Sequence, residues 1–207
     1  MKPIQAETPT FSDAACKAAT SRSIDQWFAE LDALGGAALG RRELVHRIHT
    51  AANKSDWWAT TIVVEYEKAR GVFEKDGRPK GYSVCSTKTI AAPVERVFAA
   101  FGDPADLDRW LGEGTTIAFA DGGELTNADG NRATFTRIRA NKDLRLDWRS
   151  PGLAPGTSVE VLFADKGNGK TGITLNHNRI QDRLDADVLR ATWARAFDRL
   201  KAVLESA

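Results

Sequence analysis

The stretch Ser86-Thr87-Lys88-Thr89-Ile90-Ala91-Ala92-Pro93-Val94-Glu95-Arg96-Val97-Phe98-Ala99-Ala100-Phe101-Gly102-Asp103-Pro104 changes character twice. Its first residues continue an extended segment that begins at Tyr82, with β-branched residues suited to a strand. Pro93 then fits the first turn of a helix, where the backbone donor that proline lacks would go unused. Val94, Val97, Phe98 and Phe101 follow at helical spacing, and Asp103-Pro104 opens a second short turn ending at Trp110-Leu111.

Beyond Leu111 the chain is cut into short extended pieces by turn chemistry. Strands are predicted near 115–119, 124–127, 132–139, 144–149, 157–164 and 171–177. The breaks between them are Asp121-Gly122-Gly123, Asp129-Gly130-Asn131, Asn141-Lys142-Asp143, Pro151 to Gly156, and Lys166-Gly167-Asn168-Gly169. A long amphipathic helix, roughly Leu184 to Glu205, closes the chain with Val188, Leu189, Thr192, Trp193, Ala196, Leu200 and Val203 on one stripe. An antiparallel sheet of this kind needs one face covered, and only the closing helix is long enough to cover it. The order predicts an α+β domain over 82–207, a curved antiparallel sheet wrapped on the C-terminal helix.

Upstream, residues 1–10 read as a mobile lead-in and 11–73 as a small all-helical domain, joined to the sheet domain by a polar linker at 74–81. Ser23-Ile24-Asp25-Gln26 is a capping box, and Trp27, Phe28, Leu31 and Leu34 follow until Gly35-Gly36 stops the run. A second helix, Arg41 to Ala52, aligns Leu44, Val45 and Ile48; a third, Ser55 to Arg70, aligns Trp58, Ile62, Tyr66 and Ala69. Thr60-Thr61-Ile62-Val63-Val64 has strand propensity, but the period near four favours helix. Trp57 and Trp58 are adjacent, so only one of them is expected to face this domain's core; the other is left to dock against the sheet domain or to stand exposed.

Composition excludes more than it selects. Apolar residues make up 42% and charged residues 28% of 207, with 29 Lys and Arg against 28 Asp and Glu, and neither half is biased. That balance is not the footprint of a nucleic-acid binder. No apolar run approaches the ~20 residues of a membrane span, and the N-terminus lacks a signal-peptide core, so a cytoplasmic protein is expected. Cys16 and Cys85 fit no metal or redox spacing and read as two buried reduced thiols. Asn53-Lys54-Ser55 matches a glycosylation acceptor by chance.

The quoted stretch resembles the opening of the SRPBCC, or START-like, superfamily, in which an extended segment ending in Ala-Pro leads into a helix and then an Asp-Pro. Trp110-Leu111 falls at that family's Arg-Trp pair. Leu144-Arg145-Leu146-Asp147-Trp148 is similar to its fifth strand, Ile173-Thr174-Leu175-Asn176-His177 to its last strand, and Trp193 to Leu204 to its closing helix. Within that superfamily the chain resembles the bacterial homologues of the heat-shock protein 90 ATPase activator. Residues 23–73, through Trp27-Phe28, Leu31-Asp32, Gly36-Ala37, Trp57-Trp58, Glu65-Tyr66 and Ala69-Arg70-Gly71, resemble a helical domain of unknown function often fused ahead of that fold. The resemblance implies a helix-grip fold and no particular reaction. Asn178 and Arg179 stand where the family carries an acidic residue or glycine after the last-strand histidine.

Strand parity places Leu144, Leu146 and Trp148 on one face, with Val159, Val161, Phe163 and Ile173, Leu175, His177 on the matching faces of the next strands. Opposite them should lie Trp193, Ala196, Phe197 and Leu200, with Phe101 and Trp110 from the helix pair. The cavity candidates are therefore Phe101, Trp110, Leu146, Trp148, Val161, Phe163, Leu175, His177, Trp193, Phe197 and Leu200. They either line a ligand pocket or make a solid core. His177, the one titratable group among them, is placed either to bond a ligand's polar end or to be satisfied by a backbone partner.

Other motifs have plainer readings. Ala164 to Thr171 imitates a phosphate loop, but a strand and not a helix follows it, so it is a hairpin turn. His46 and His49 lie at i and i+3 without the intervening Glu of a zinc protease, and read as a solvated face. Asp103, Asp106 and Asp108 read as helix-start residues. No metal or cofactor motif is present, and none is expected. The partner expected is a small apolar molecule such as a lipid, polyketide or aromatic compound, bound without catalysis. A co-chaperone or interaction module contacting a chaperone or other protein is the alternative the resemblance implies, and a cyclase- or hydrolase-like enzyme is a third. The third needs a titratable pair facing the cavity, and the sequence offers only His177.

Overall fold

The computed structural model describes residues 1–4, 9, 11–51 and 55–206. Asn53 of the glycosylation match, and residues 5–8 and 10 of the expected lead-in, lie outside the described residues. The chain divides into two units, Glu7–Tyr82 and Met1–Ala6 with Ser83–Ala207.

The helical unit holds α1 (Asp13–Thr20), α2 (Ile24–Ala33), a 3-10 turn (Gly36–Leu39), α3 (Arg41–Ala51) and α4 (Asp56–Ala69). The reading with three helices omits α1, whose sequence buries only Cys16 and Thr20 and so has no large apolar stripe to read. At α2, Ser23 Oγ accepts the Gln26 N–H at 3.2 Å while Gln26 Oε1 accepts the Ser23 N–H at 2.9 Å, the reciprocal capping box. Despite its β-branched run, α4 is helical because burial of Trp58, Ala59, Ile62 and Val63 outweighs local propensity. Trp27, Leu31, Leu44, Ile48, Trp58, Ile62 and Tyr66 form one core cluster. Both tryptophans pack on it: Trp58 lies inside, and Trp57 is half-buried against it, edge to face at 4.8 Å. The expectation that only one of the pair serves this core is corrected, because the second indole covers the first.

A polar lock closes this unit's surface. Tyr66 Oη donates to Asp32 Oδ1 at 2.5 Å, and Arg70 bonds both carboxylate oxygens, at 3.2 and 2.6 Å. The Arg70 guanidinium and then the Tyr66 hydroxyl hold the Asp32 carboxyl down to about 2. Gly36 belongs to this lock. Its φ is +64°, and an added Cβ would come within 2.9 Å of Tyr66 Oη.

The second unit is a seven-stranded antiparallel sheet in the order β1-β7-β6-β5-β4-β3-β2. The strands are β1 (Tyr82–Ile90), β2 (Thr116–Ile117), β3 (Glu124–Thr126), β4 (Arg132–Arg139), β5 (Asp143–Arg149), β6 (Thr157–Gly167) and β7 (Lys170–Ile180). Between β1 and β2, at opposite edges, run α5 (Val94–Ala99) and α6 (Pro104–Trp110); α7 (Arg183–Glu205) follows β7. Pro93 is the N-cap of α5, and Asp103 Oδ1 caps α6 by accepting the Asp106 N–H at 3.0 Å. The β6–β7 hairpin turns through Asn168 and Gly169 at φ +54° and +65°, the left-handed pair a two-residue turn needs. An irregularity in β4 between Phe135 and Arg137 adds to the sheet's bend.

The register puts Phe135, Leu146, Val159 and His177 in one cross-strand row, with Ala133, Trp148 and Thr157 in the next. α7 buries Leu189, Trp193, Ala196, Phe197 and Leu200. The helix is fixed to the ends of the first strand and of α6. Lys201 Nζ donates to Thr89 O at 3.0 Å, the Ala91 N–H donates to Glu205 Oε1 at 2.6 Å, and Arg199 Nε donates to Trp110 O at 2.9 Å. Lys88 also pairs with Asp198. Thr171 Oγ1 donates to Ala92 O at 2.8 Å and ties the entry of α5 to β7.

One expectation about the thiols fails. Cys16 is buried, but Cys85 is exposed, on the outward positions of β1 that it shares with Ser83. No helix among the described residues is long and apolar enough to cross a membrane.

Candidate functional site

Between sheet, α6 and α7 lies a hollow of about 30 Å³. Seven of the sequence candidates line it: Phe101, Trp110, Leu146, Trp148, Val161, Leu175 and Trp193. Leu144 and Val159, read as inward from strand parity, line it too. Leu107 and Leu111 at α6, Leu125 on β3 and Phe135 on β4 complete the wall, and the sequence reading did not mark them. Phe135 was findable, because it alternates with Ala133 on the inward face of β4.

The other four candidates are buried outside the wall. Phe163 packs against Phe98 and Phe101, with ring centroids 5.3 and 5.1 Å apart. Phe197 sits between Trp110 and Trp193, at 6.5 and 6.4 Å, and Leu200 lies further along α7. His177 is fully buried, 6.5 Å from the Trp148 ring and 6.2 Å from the Trp193 ring.

The partner of His177 is not backbone, as one reading had it. Trp193 Nε1 donates to His177 Nδ1 at 3.1 Å. Burial holds the imidazole pKa down to about 3, so at neutral pH the ring is uncharged. A neutral imidazole has one N–H, and since Nδ1 accepts, the proton is on Nε2. That Nε2, like Trp148 Nε1, is buried without a hydrogen-bond partner. Trp148 and Trp193 meet edge to face at 5.2 Å, so the three rings form one cluster beside the hollow. The cluster presents donors and no ionised group.

The three aspartates of the helix pair have separate tasks. Asp103 caps α6, Asp106 accepts two bonds from Arg96 at 2.6 and 3.0 Å, and Asp108 Oδ1 accepts the Thr115 N–H at 2.7 Å. In the helical unit, His49 Nε2 meets Asp56 at 2.9 Å and His46 is exposed. On the outside of the sheet unit, an open cleft of about 550 Å³ is lined by Arg109, Arg195 and Arg199 together with Asp108, Glu113 and Asp129. Burial, and then the neighbouring Arg195, lower the pKa of the Arg199 guanidinium.

A family model described as Activator of Hsp90 ATPase homolog 1-like protein matches residues 91–205. No curated protein matches the chain. Among solved structures, an HSP90 activator from Plasmodium falciparum is similar at 23% identity and a TM-score of 0.53, covering 60% of this chain and 97% of that one. The Aha1 dimer from Colwellia psychrerythraea is similar at 21% identity and 0.52, covering 60% and 96%. DynU16, from the dynemicin biosynthetic locus, is similar at 23% identity and 0.52, covering 60% and 47%.

Proposed function

Because the chain belongs to the Activator of Hsp90 ATPase homolog 1-like protein family, whose model spans β2 to β7 and α7, we propose that the sheet and α7 hold a small apolar molecule between them without transforming it. The observation that carries this reading is the hollow itself, walled by aliphatic and aromatic side chains from the sheet, α6 and α7. Its size sets a condition. About 30 Å³ takes a water, whereas a benzene-sized guest needs on the order of 150 Å³, so a ligand enters by turning wall side chains aside. Its affinity comes from apolar area removed from water, roughly 25 cal/mol per Å² before ordering costs. That a neighbour of similar fold comes from a biosynthetic locus agrees with such a cargo.

Native mass spectrometry of the freshly purified chain, together with titration of a fluorescent apolar probe, tests the proposal. A co-purified small molecule, and weaker probe uptake in Trp148→Ala and Trp193→Ala, are the expected results. Unchanged affinity in folded variants would remove the reading.

A second reading, a protein-interaction module, is favoured by the cleft at Arg109, Arg195 and Arg199. Neither Arg109 nor Arg195 has an ion-pair partner among the described residues, although most arginines of this unit do. Stimulation of a heat-shock ATPase by the intact chain, lost in Arg195→Glu, would select this reading over the first.

A further inference from the structure

We infer that the molecule held at the sheet–helix seam carries a hydrogen-bond acceptor without a donor, as a ketone or ester carbonyl does, and that Trp148 Nε1 and His177 Nε2 are the groups that read it. This rests on the apolar-ligand reading above and narrows the ligand class.

The argument begins with two orphans. Trp148 and His177 are 2% and 0% exposed, and neither of the two nitrogens has a partner. Buried polar groups are nearly always paired, so an unpartnered one calls for an explanation, and two in one three-ring cluster call for a common one. Both nitrogens are donors. The indole N–H cannot be anything else, and His177 Nε2 must carry its proton because Nδ1 already accepts from Trp193 Nε1 at 3.1 Å. The Trp193 bond thus fixes the tautomer and makes His177 Nε2 a donor, in the same ring cluster as Trp148, which lines the hollow. Burial keeps the ring uncharged at neutral pH, so Nδ1 keeps the lone pair that takes the Trp193 bond and Nε2 carries the one proton.

Two donors and no free acceptor select by chemistry. A carbonyl oxygen offers two lone pairs and can satisfy both. A hydroxyl brings a donor of its own for which neither nitrogen has a lone pair. A hydrocarbon leaves both orphans as they were. Sites built to bond a polar group reject the analogue lacking it, because their own buried groups then stay unpaired.

The test uses the full chain and three naphthalene probes of similar shape: methyl naphthyl ketone, naphthylethanol and ethylnaphthalene. Affinities are measured by fluorescence titration, each divided by the probe's own water-to-octanol partition. The ketone should bind roughly 3- to 10-fold more tightly than the hydrocarbon on that corrected scale, with the alcohol between them. In Trp148→Phe and in His177→Phe the ketone's advantage should shrink while the hydrocarbon's affinity holds. If a variant does not fold, the ranking in the unmodified protein still decides. Hydrocarbon and ketone binding alike, or a ketone advantage that survives both substitutions, overturns the inference and leaves the apolar pocket standing. No binding by any probe overturns both. A crystal structure in which one trapped water bonds both nitrogens and stays in place when the ketone is bound also overturns it.

Discussion

Trp193 and His177 are joined across the seam between α7 and β7 by an indole N–H that donates to Nδ1 at 3.1 Å. That bond couples the closing helix to the sheet through a titratable ring, and the burial of that ring makes stability depend on pH.

His177 is held near 3 by burial, against an ordinary value of 6.5. Between those values the unfolded chain binds a proton that the folded chain excludes. Its contribution is therefore fully present above about pH 6.5 and is lost as pH falls toward 3, at up to roughly 1.4 kcal/mol per pH unit. Urea unfolding at about pH 7 and about pH 5 should show the native protein losing about 2 kcal/mol more than His177→Gln does. Parallel losses in the two proteins would contradict the burial of this ring.

Leu175 is fully buried on the wall of the hollow. Leu175→Ala should cost about 2–5 kcal/mol, and the space it leaves joins the existing void. Benzene should then raise the melting temperature of the variant more than that of the native protein. Equal shifts would mean that the wall collapses inward.

Gly36 combines a left-handed backbone with the close approach of Tyr66 Oη. Gly36→Ala should destabilise the chain by about 1–2 kcal/mol from the backbone alone. It should also displace Tyr66 from Asp32, which the Tyr66 ring resonances would report in NMR spectra. An unshifted Tyr66 would contradict the lock.

The thiols should separate by reactivity. Cys85 is exposed, whereas Cys16 is buried and its thiol pKa is raised by that burial. An aromatic disulfide reagent should label one thiol rapidly in the folded protein and the second only after denaturation. Cys85→Ser should abolish the fast phase.

What the sequence reveals here depends on repetition. β5, β6 and β7 are long enough to alternate, so Leu146, Trp148, Val161 and Leu175 declare their face. β2 and β3 hold two and three residues, too few to show a period, and Leu125 stays hidden among them. Parity gives the face but not the depth along a strand. Phe163 and His177 therefore share a face with the wall residues and yet lie outside the wall. Tautomers are not written in sequence either: the donor character of His177 appears only once Trp193 is seen against it. Cys85 was legible, since Tyr82 and Val84 face inward on the same strand and leave the odd positions outside.

The order of the sheet has a consequence for how the chain is made. Among the described strands β1 has β7 as its one neighbour in the sheet, with residues 91–169 between them, and its far end is bonded by Glu205 near the end of α7. During synthesis the first strand emerges long before its neighbour exists, and it must wait with an open edge. Closing so large a loop makes late pairing the slow event in folding. The interval before β7 leaves the ribosome is thus when the nascent protein is most exposed to aggregation.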